Sequence, residues 1–180
     1  MNIQVAESPP VLLEQDFDLT EIINGEEIMS PSPFGSHQRI IMRLIEKLVL
    51  FLNTHPIGEL CVSPFDVILE ENANRVQPDL FFVKKENRSI FQEWVQGVPD
   101  MVCEIVSKGS HSKDTITKKM IYEHYKVPEY WIVIPELEAI EVLVIEDDRY
   151  RLFSCAEGEG IVKSKTIEGF EVDIKDVFVK

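Results

Sequence analysis

Leu80-Phe81-Phe82-Val83 is apolar at four consecutive positions and completes a run that opens with Val76-Gln77-Pro78-Asp79. Successive residues of a strand point to opposite faces, so this run cannot be solvated on either side and belongs inside a covered sheet. Other stretches can provide the cover. Ile40, Ile41, Leu44, Ile45, Leu48, Phe51 and Leu52 recur at helical spacing, with Arg39, Arg43, Glu46 and Lys47 between them. They predict an amphipathic helix from Ser36 to about Asn53. A second helix is expected over 114–126. β-rich runs stand at 59–62, 65–70, 76–84 and 101–107, and again at 130–134, 140–145 and 150–153. Asn24-Gly25 inside 22–29 predicts a β-hairpin, Asp147-Asp148 and Glu157-Gly158-Glu159-Gly160 read as turns, and 169–179 adds a last short element. The order predicts an α/β (α+β) fold, with a central mixed β-sheet flanked by α-helices and an N-terminal β-hairpin. One domain over 1–180 is expected, with 1–19 as a peripheral arm.

Several function classes drop out. Cys61, Cys103 and Cys155 are widely spaced with no CxxC pair, which excludes a disulfide framework and fits a reducing, cytoplasmic setting. Residues 1–20 carry four acidic side chains and no Lys or Arg, unlike a signal peptide, and no apolar run reaches membrane-spanning length. His37, His55, His111 and His124 lack the HExxH spacing of a zinc hydrolase, and the glycines form neither a P-loop nor GxGxxG. Tyr130-Trp131 reads as packing rather than as a base-stacking platform.

Function is sought where a charge interrupts a core-like run, because an unpaired buried charge is costly. Asp79 leads into the apolar run above. In Met101-Val102-Cys103-Glu104-Ile105-Val106, alternation puts Glu104 on the face of Val102 and Val106. Lys118 shares a helical stripe with Ile121, Tyr122 and Tyr125, one turn after Asp114. Two carboxylates suit a hard ion such as Mg²⁺, which takes one or two of them together with waters and substrate phosphate, and a nearby ammonium can stabilise a phosphorane. The same residues also read as rim carboxylates and a snorkelling lysine.

At these positions the sequence resembles the Uma-two family of restriction-endonuclease-like proteins, in the PD-(D/E)XK nuclease superfamily. The matching text is Asn24-Gly25-Glu26, Ser30-Pro31-Ser32-Pro33 with His37, Val76-Gln77-Pro78-Asp79, and 98–107 around Glu104. It continues through Asp114, Lys118, Tyr122 and Pro128-Glu129-Tyr130-Trp131-Ile132-Val133. The resemblance implies a restriction-endonuclease-like core and a Mg²⁺- or Mn²⁺-dependent endonuclease that hydrolyses DNA with a metal-activated water. It implies Asp79, Glu104 and Lys118 as catalytic residues, Asp79, Glu104 and Glu26 as metal ligands, and His37, Lys108, Lys113 and Tyr122 as substrate contacts. The superfamily lysine two residues after the glutamate is Val106 here, so Lys118 on the next helix stands in for it. Where the family commonly has Asp-Pro after the Trp-Ile-Val strand, this chain has Ile134-Pro135. The alternative is a catalytically degenerate member that binds nucleic acid or protein. A homodimer follows by analogy with nucleases that cut both strands.

The net charge of −14 first argues against a polyanionic partner. Its location narrows that argument. Residues 1–33 hold 7 acidic and no basic side chains, and 134–180 hold 12 acidic and 6 basic, so 34–133 are nearly neutral. Within the middle, 108–126 carries five lysines against Asp114 and Glu123. DNA affinity is therefore expected to be low without divalent ion and confined to one basic face.

Overall fold

The computed structural model describes residues 20–29, 34–106 and 113–179, without the side chains of 113–115. The proposed arm at 1–19 lies outside the described residues. The hairpin forms from β1 (Thr20–Ile23) and β2 (Glu26–Met29). Asn24 and Gly25 have φ of 52° and 80°, the paired positive values of a tight hairpin turn. Helix α1 (Gly35–Thr54) follows and buries Ile40, Ile41, Leu44 and Leu48.

Next come β3 (Gly58–Val62), β4 (Val67–Glu70), β5 (Asn74–Val76), β6 (Leu80–Lys84), β7 (Val95–Gln96) and β8 (Met101–Ile105). The run expected as one strand over 76–84 is two strands in different sheets. Pro78 cannot donate to a ladder, so β5 ends at Val76 and the chain crosses to begin β6 at Leu80. A π-helical turn (Lys113–Lys118) leads into α2 (Lys119–His124), so the second predicted helix is shorter and wider at its start. The chain ends with β9 (Glu129–Ile134), β10 (Ala139–Glu146), β11 (Arg149–Glu157), β12 (Ile161–Lys163) and β13 (Glu171–Asp173).

A six-stranded mixed sheet runs β11-β10-β9-β8-β6-β3, and a five-stranded sheet runs β2-β1-β5-β4-β7. Within the large sheet only β8 and β9 pair in parallel, which is where the chain needs a crossover, made by the π-turn and α2. One face of the large sheet packs on α1 and the C-terminal segment through Leu44, Leu80, Met101, Trp131, Ile167 and Phe170. The other packs on the small sheet and α2 through Val67, Val76, Phe81, Val102, Tyr122 and Tyr130. Phe81 and Phe82 are both fully buried, as the unbroken apolar run requires. Tyr130 and Trp131 are core residues.

Glu129 fastens the C-terminal segment to β9. It is fully buried and accepts from Trp131 Nε1 (2.6 Å), the Ser164 hydroxyl (2.6 Å), and the amides of Lys165 (2.6 Å) and Thr166 (2.8 Å). No described helix is long and apolar enough to cross a membrane. The three cysteines are free thiols.

Candidate active site

The break at Pro78 shapes the first carboxylate. In the β6–β8 ladder Leu80 stands opposite Cys103, and one further step sets Asp79 opposite Glu104. The backbone turns away there, and the Asp79 side chain takes the amide that the ladder leaves over: Oδ2 accepts from Ile105 N–H at 2.7 Å. The same oxygen meets His37 Nε2 at 3.0 Å, and His37, in the first turn of α1, is 8% exposed. Asp79 itself keeps 19% of its side chain exposed. Its Oδ1 makes no hydrogen bond among the described residues.

The second cluster lies between the sheets. Glu104 Oε1 accepts from Lys118 Nζ at 2.8 Å and from the Tyr122 hydroxyl at 2.7 Å. Lys118 Nζ also meets Glu21 Oε1 at 2.9 Å, and that oxygen accepts from the Gln77 amide at 3.0 Å. Glu21, Glu104 and Lys118 are 2%, 3% and 4% exposed. One ammonium thus bridges two buried carboxylates carried by β1 and β8. Such a group tolerates burial only with its partners in place. The wide π-turn delivers this lysine inward at the point where the helix resumes α geometry, a local irregularity that recurs at functional sites.

Tyr122, read from the sequence as a substrate contact, is instead fully buried and donates to Glu104, so it positions that carboxylate. Burial, and after it the Glu104 charge, hold its phenol well above the ordinary tyrosine range, so it stays a donor. Glu26, read as a ligand, is exposed near the hairpin turn opposite Ile23 and outside the Lys118 cluster. Glu21 occupies the inward position instead. The sequence did carry a signal for it: in Thr20-Glu21-Ile22-Ile23 alternation puts Glu21 on the face of buried Ile23. His37 is turned toward Asp79. Lys108 and the side chain of Lys113 lie outside the described residues. Val106, two residues after Glu104, is core. Cys103 borders both carboxylates, and burial, then Asp79 and Glu104, push its thiol well up, so it is a neutral wall.

Among the described residues no group of three metal-binding side chains converges. Mg²⁺ or Mn²⁺ needs fewer, because it keeps waters and takes one or two carboxylates. Asp79 fits that demand, with Oδ2 fixed by two donors and Oδ1 left over on a partly exposed side chain. Glu104 is the neighbouring carboxylate that could share the ion.

A family model described as "Putative restriction endonuclease" matches residues 10–175. The chain belongs to the Uma2 family. The Uma2 fold is also found in a crystal structure of a putative nuclease belonging to DUF820 from Anabaena variabilis. That protein superposes with a TM-score of 0.73 at 16% identity, over 88% of this chain and 89% of the other. The likeness confirms the architecture of a mixed sheet flanked by helices. A comparison with curated proteins finds no match.

Proposed function

We propose that this Uma2 chain is a Mg²⁺- or Mn²⁺-dependent endonuclease that hydrolyses DNA phosphodiester bonds. The observation that carries the reading is the Asp79 carboxylate, oriented by His37 and the Ile105 amide, with one oxygen left over beside a strand whose Glu104 touches Lys118. Asp79 and Glu104 would hold the ion, which when bound supplies an acidic site for water and neutralises phosphate charge. Asp79 orients the site through its fixed Oδ2. Tyr122 holds Glu104 in one rotamer. Lys118 contributes positive charge where a phosphorane would gather negative charge, and the buried setting strengthens that interaction. Glu21 and the Gln77 amide keep the ammonium in place. A double-strand cut would require two such sites, hence a homodimer.

A second reading, a binding module without catalysis, draws support from the same lysine: its ammonium is already engaged by two carboxylates. Incubating the chain with supercoiled plasmid or single-stranded DNA, with Mg²⁺, Mn²⁺ or chelator, separates the two. Cleavage that needs the ion and disappears in Asp79→Asn and Glu104→Gln supports the enzyme. Binding without any cleavage, unchanged in both variants, supports the module.

A further inference from the structure

We propose that the outer edge of β3 pairs with the same edge of a second copy of this chain, joining two six-stranded sheets into one; the contact depends on this surface and not on cleavage, so it goes beyond the nuclease reading. β3 ends the large sheet, and no strand among the described residues pairs with its outer side. The ends of its ladder define the inner side. The Ile57 carbonyl accepts from Lys85 N–H at 3.0 Å, and Ser63 N–H donates to the Asp79 carbonyl at 3.2 Å. Hydrogen-bonding direction alternates along a strand, so Glu59 and Cys61 also bond to β6, and the amides and carbonyls of Gly58, Leu60 and Val62 point outward.

That outward set is self-complementary. A second copy laid antiparallel about Leu60 places Gly58 opposite Val62, Leu60 opposite its counterpart and Val62 opposite Gly58. Each of these pairs exchanges both of its bonds, so all three amides and all three carbonyls of each copy find partners. Glu59 then stands opposite Cys61 of the second copy, so no like charges meet, and its carboxylate is already held by Arg88 Nε at 2.9 Å. The other sheet edges are blunted. β2 carries two glutamates in four residues, β7 is two residues long, and β11 has Lys163 of β12 bonded to its Ser154. β3 holds a single charge and neither proline nor lysine, and its Val62 is 40% exposed.

The neighbouring helix adds an apolar stripe on the same side. Arg43 and Lys47, on one flank of α1, reach the Val177 carbonyl and Asp176 in the C-terminal segment, which packs with Trp131, Ile140 and Val142 of β9 and β10. The opposite flank therefore lies toward β3. It carries Met42, Ile45, Val49 and Leu52 at i, i+3, i+7 and i+10, with Met42 and Val49 59% and 42% exposed. A two-fold axis perpendicular to the joined sheet keeps both copies of α1 on one face and turns these stripes toward each other. An edge whose donors match its own acceptors, beside a stripe that faces its own copy, selects a second copy over an unrelated chain.

The test uses the full chain without DNA or metal. Sedimentation equilibrium should give the mass of two chains in concentrated samples and of one on dilution. Amide hydrogen exchange of the ¹⁵N-labelled chain, run at high and low concentration and read residue by residue, should alternate along β3. Glu59 and Cys61 stay slow in both samples, whereas Gly58, Leu60 and Val62 are slow only in the concentrated one. Val62→Lys should weaken association about tenfold or more, because each contact loses two apolar side chains. Met42→Glu puts a carboxylate on both facing stripes and should weaken it by about the same factor. Both positions are exposed, so the circular dichroism of each variant should match wild type, which separates lost pairing from lost folding. A single-chain mass at every concentration overturns the proposal. So does a dimer in which Gly58, Leu60 and Val62 exchange fast, or one that both variants leave intact. Plasmid cleavage with Mg²⁺, measured on the same preparations, decides the nuclease reading separately.

Discussion

Glu104 and Glu129 sit on adjacent parallel strands, β8 and β9, and both are almost completely buried, yet they face opposite sides of the sheet. Glu129 is surrounded by neutral donors: one indole, one hydroxyl and two amides account for its two oxygens. Its charge is satisfied by peptide geometry, and nothing remains for a ligand to do. Glu104 is held by a phenol and by an ammonium that it shares with Glu21. Beside it stands Asp79, half of whose carboxylate is uncommitted. The contrast separates a carboxylate that builds the fold from a pair of carboxylates that the fold holds ready. Burial alone does not distinguish them; the identity of their donors does.

The largest effect that would break this contrast comes from Lys118→Met. It strands two buried carboxylates, so stability should fall by about 3–5 kcal/mol in urea unfolding, with loss of DNA cleavage. Adding Glu21→Gln should recover much of the stability and none of the cleavage; recovered cleavage would show that the lysine acts only as a brace. Asp79→Asn should lower cleavage by about 100-fold or more with little change in Tm, since the Ile105 amide can still bond to the side-chain oxygen.

On the other face the pattern should invert. Glu129→Gln turns an amide NH₂ toward donors, costing about 1–3 kcal/mol by thermal unfolding, while cleavage per folded molecule stays at wild-type level. The smallest effect is expected for Tyr122→Phe, at about 1 kcal/mol. Its pH dependence has a defined sign. The phenol's pKa is raised in the folded chain, so its contribution is complete below the unfolded value of about 10 and declines as pH rises past it. Urea midpoints measured through that range should fall less steeply in Tyr122→Phe than in wild type.

Much of this arrangement was legible in the residues. Helical spacing located α1, the Asn24-Gly25 dipeptide located the first hairpin, and single charges in apolar runs pointed to Asp79, Glu104 and Lys118. Those signals are local, because periodicity records which side of an element is buried. What escaped was assembly. Glu21 obeys the same alternation rule, but its strand is four residues long and gains meaning only by docking through the second sheet. Tyr122 lies on the inward stripe, yet that stripe does not say whether a hydroxyl meets a carboxylate or a ligand. Glu129 was legible only as part of the Pro128-Glu129-Tyr130 text, since its donors come from residues 164–166 in another part of the chain. The division of 76–84 into two strands could have been anticipated from Pro78 alone.

The Glu129 fastening also orders events during synthesis. The chain emerges from the ribosome N-terminus first, so β9 and its carboxylate appear before the serine and the two amides that will satisfy it. Until residues 164–166 are out, sealing that face would bury a charge whose only available donor is its neighbour Trp131. A nascent chain truncated near residue 160 therefore lacks what it needs to close the sheet. The glutamate thereby ties closure of this face of the sheet to the arrival of residues 164–166, more than thirty positions further along the chain.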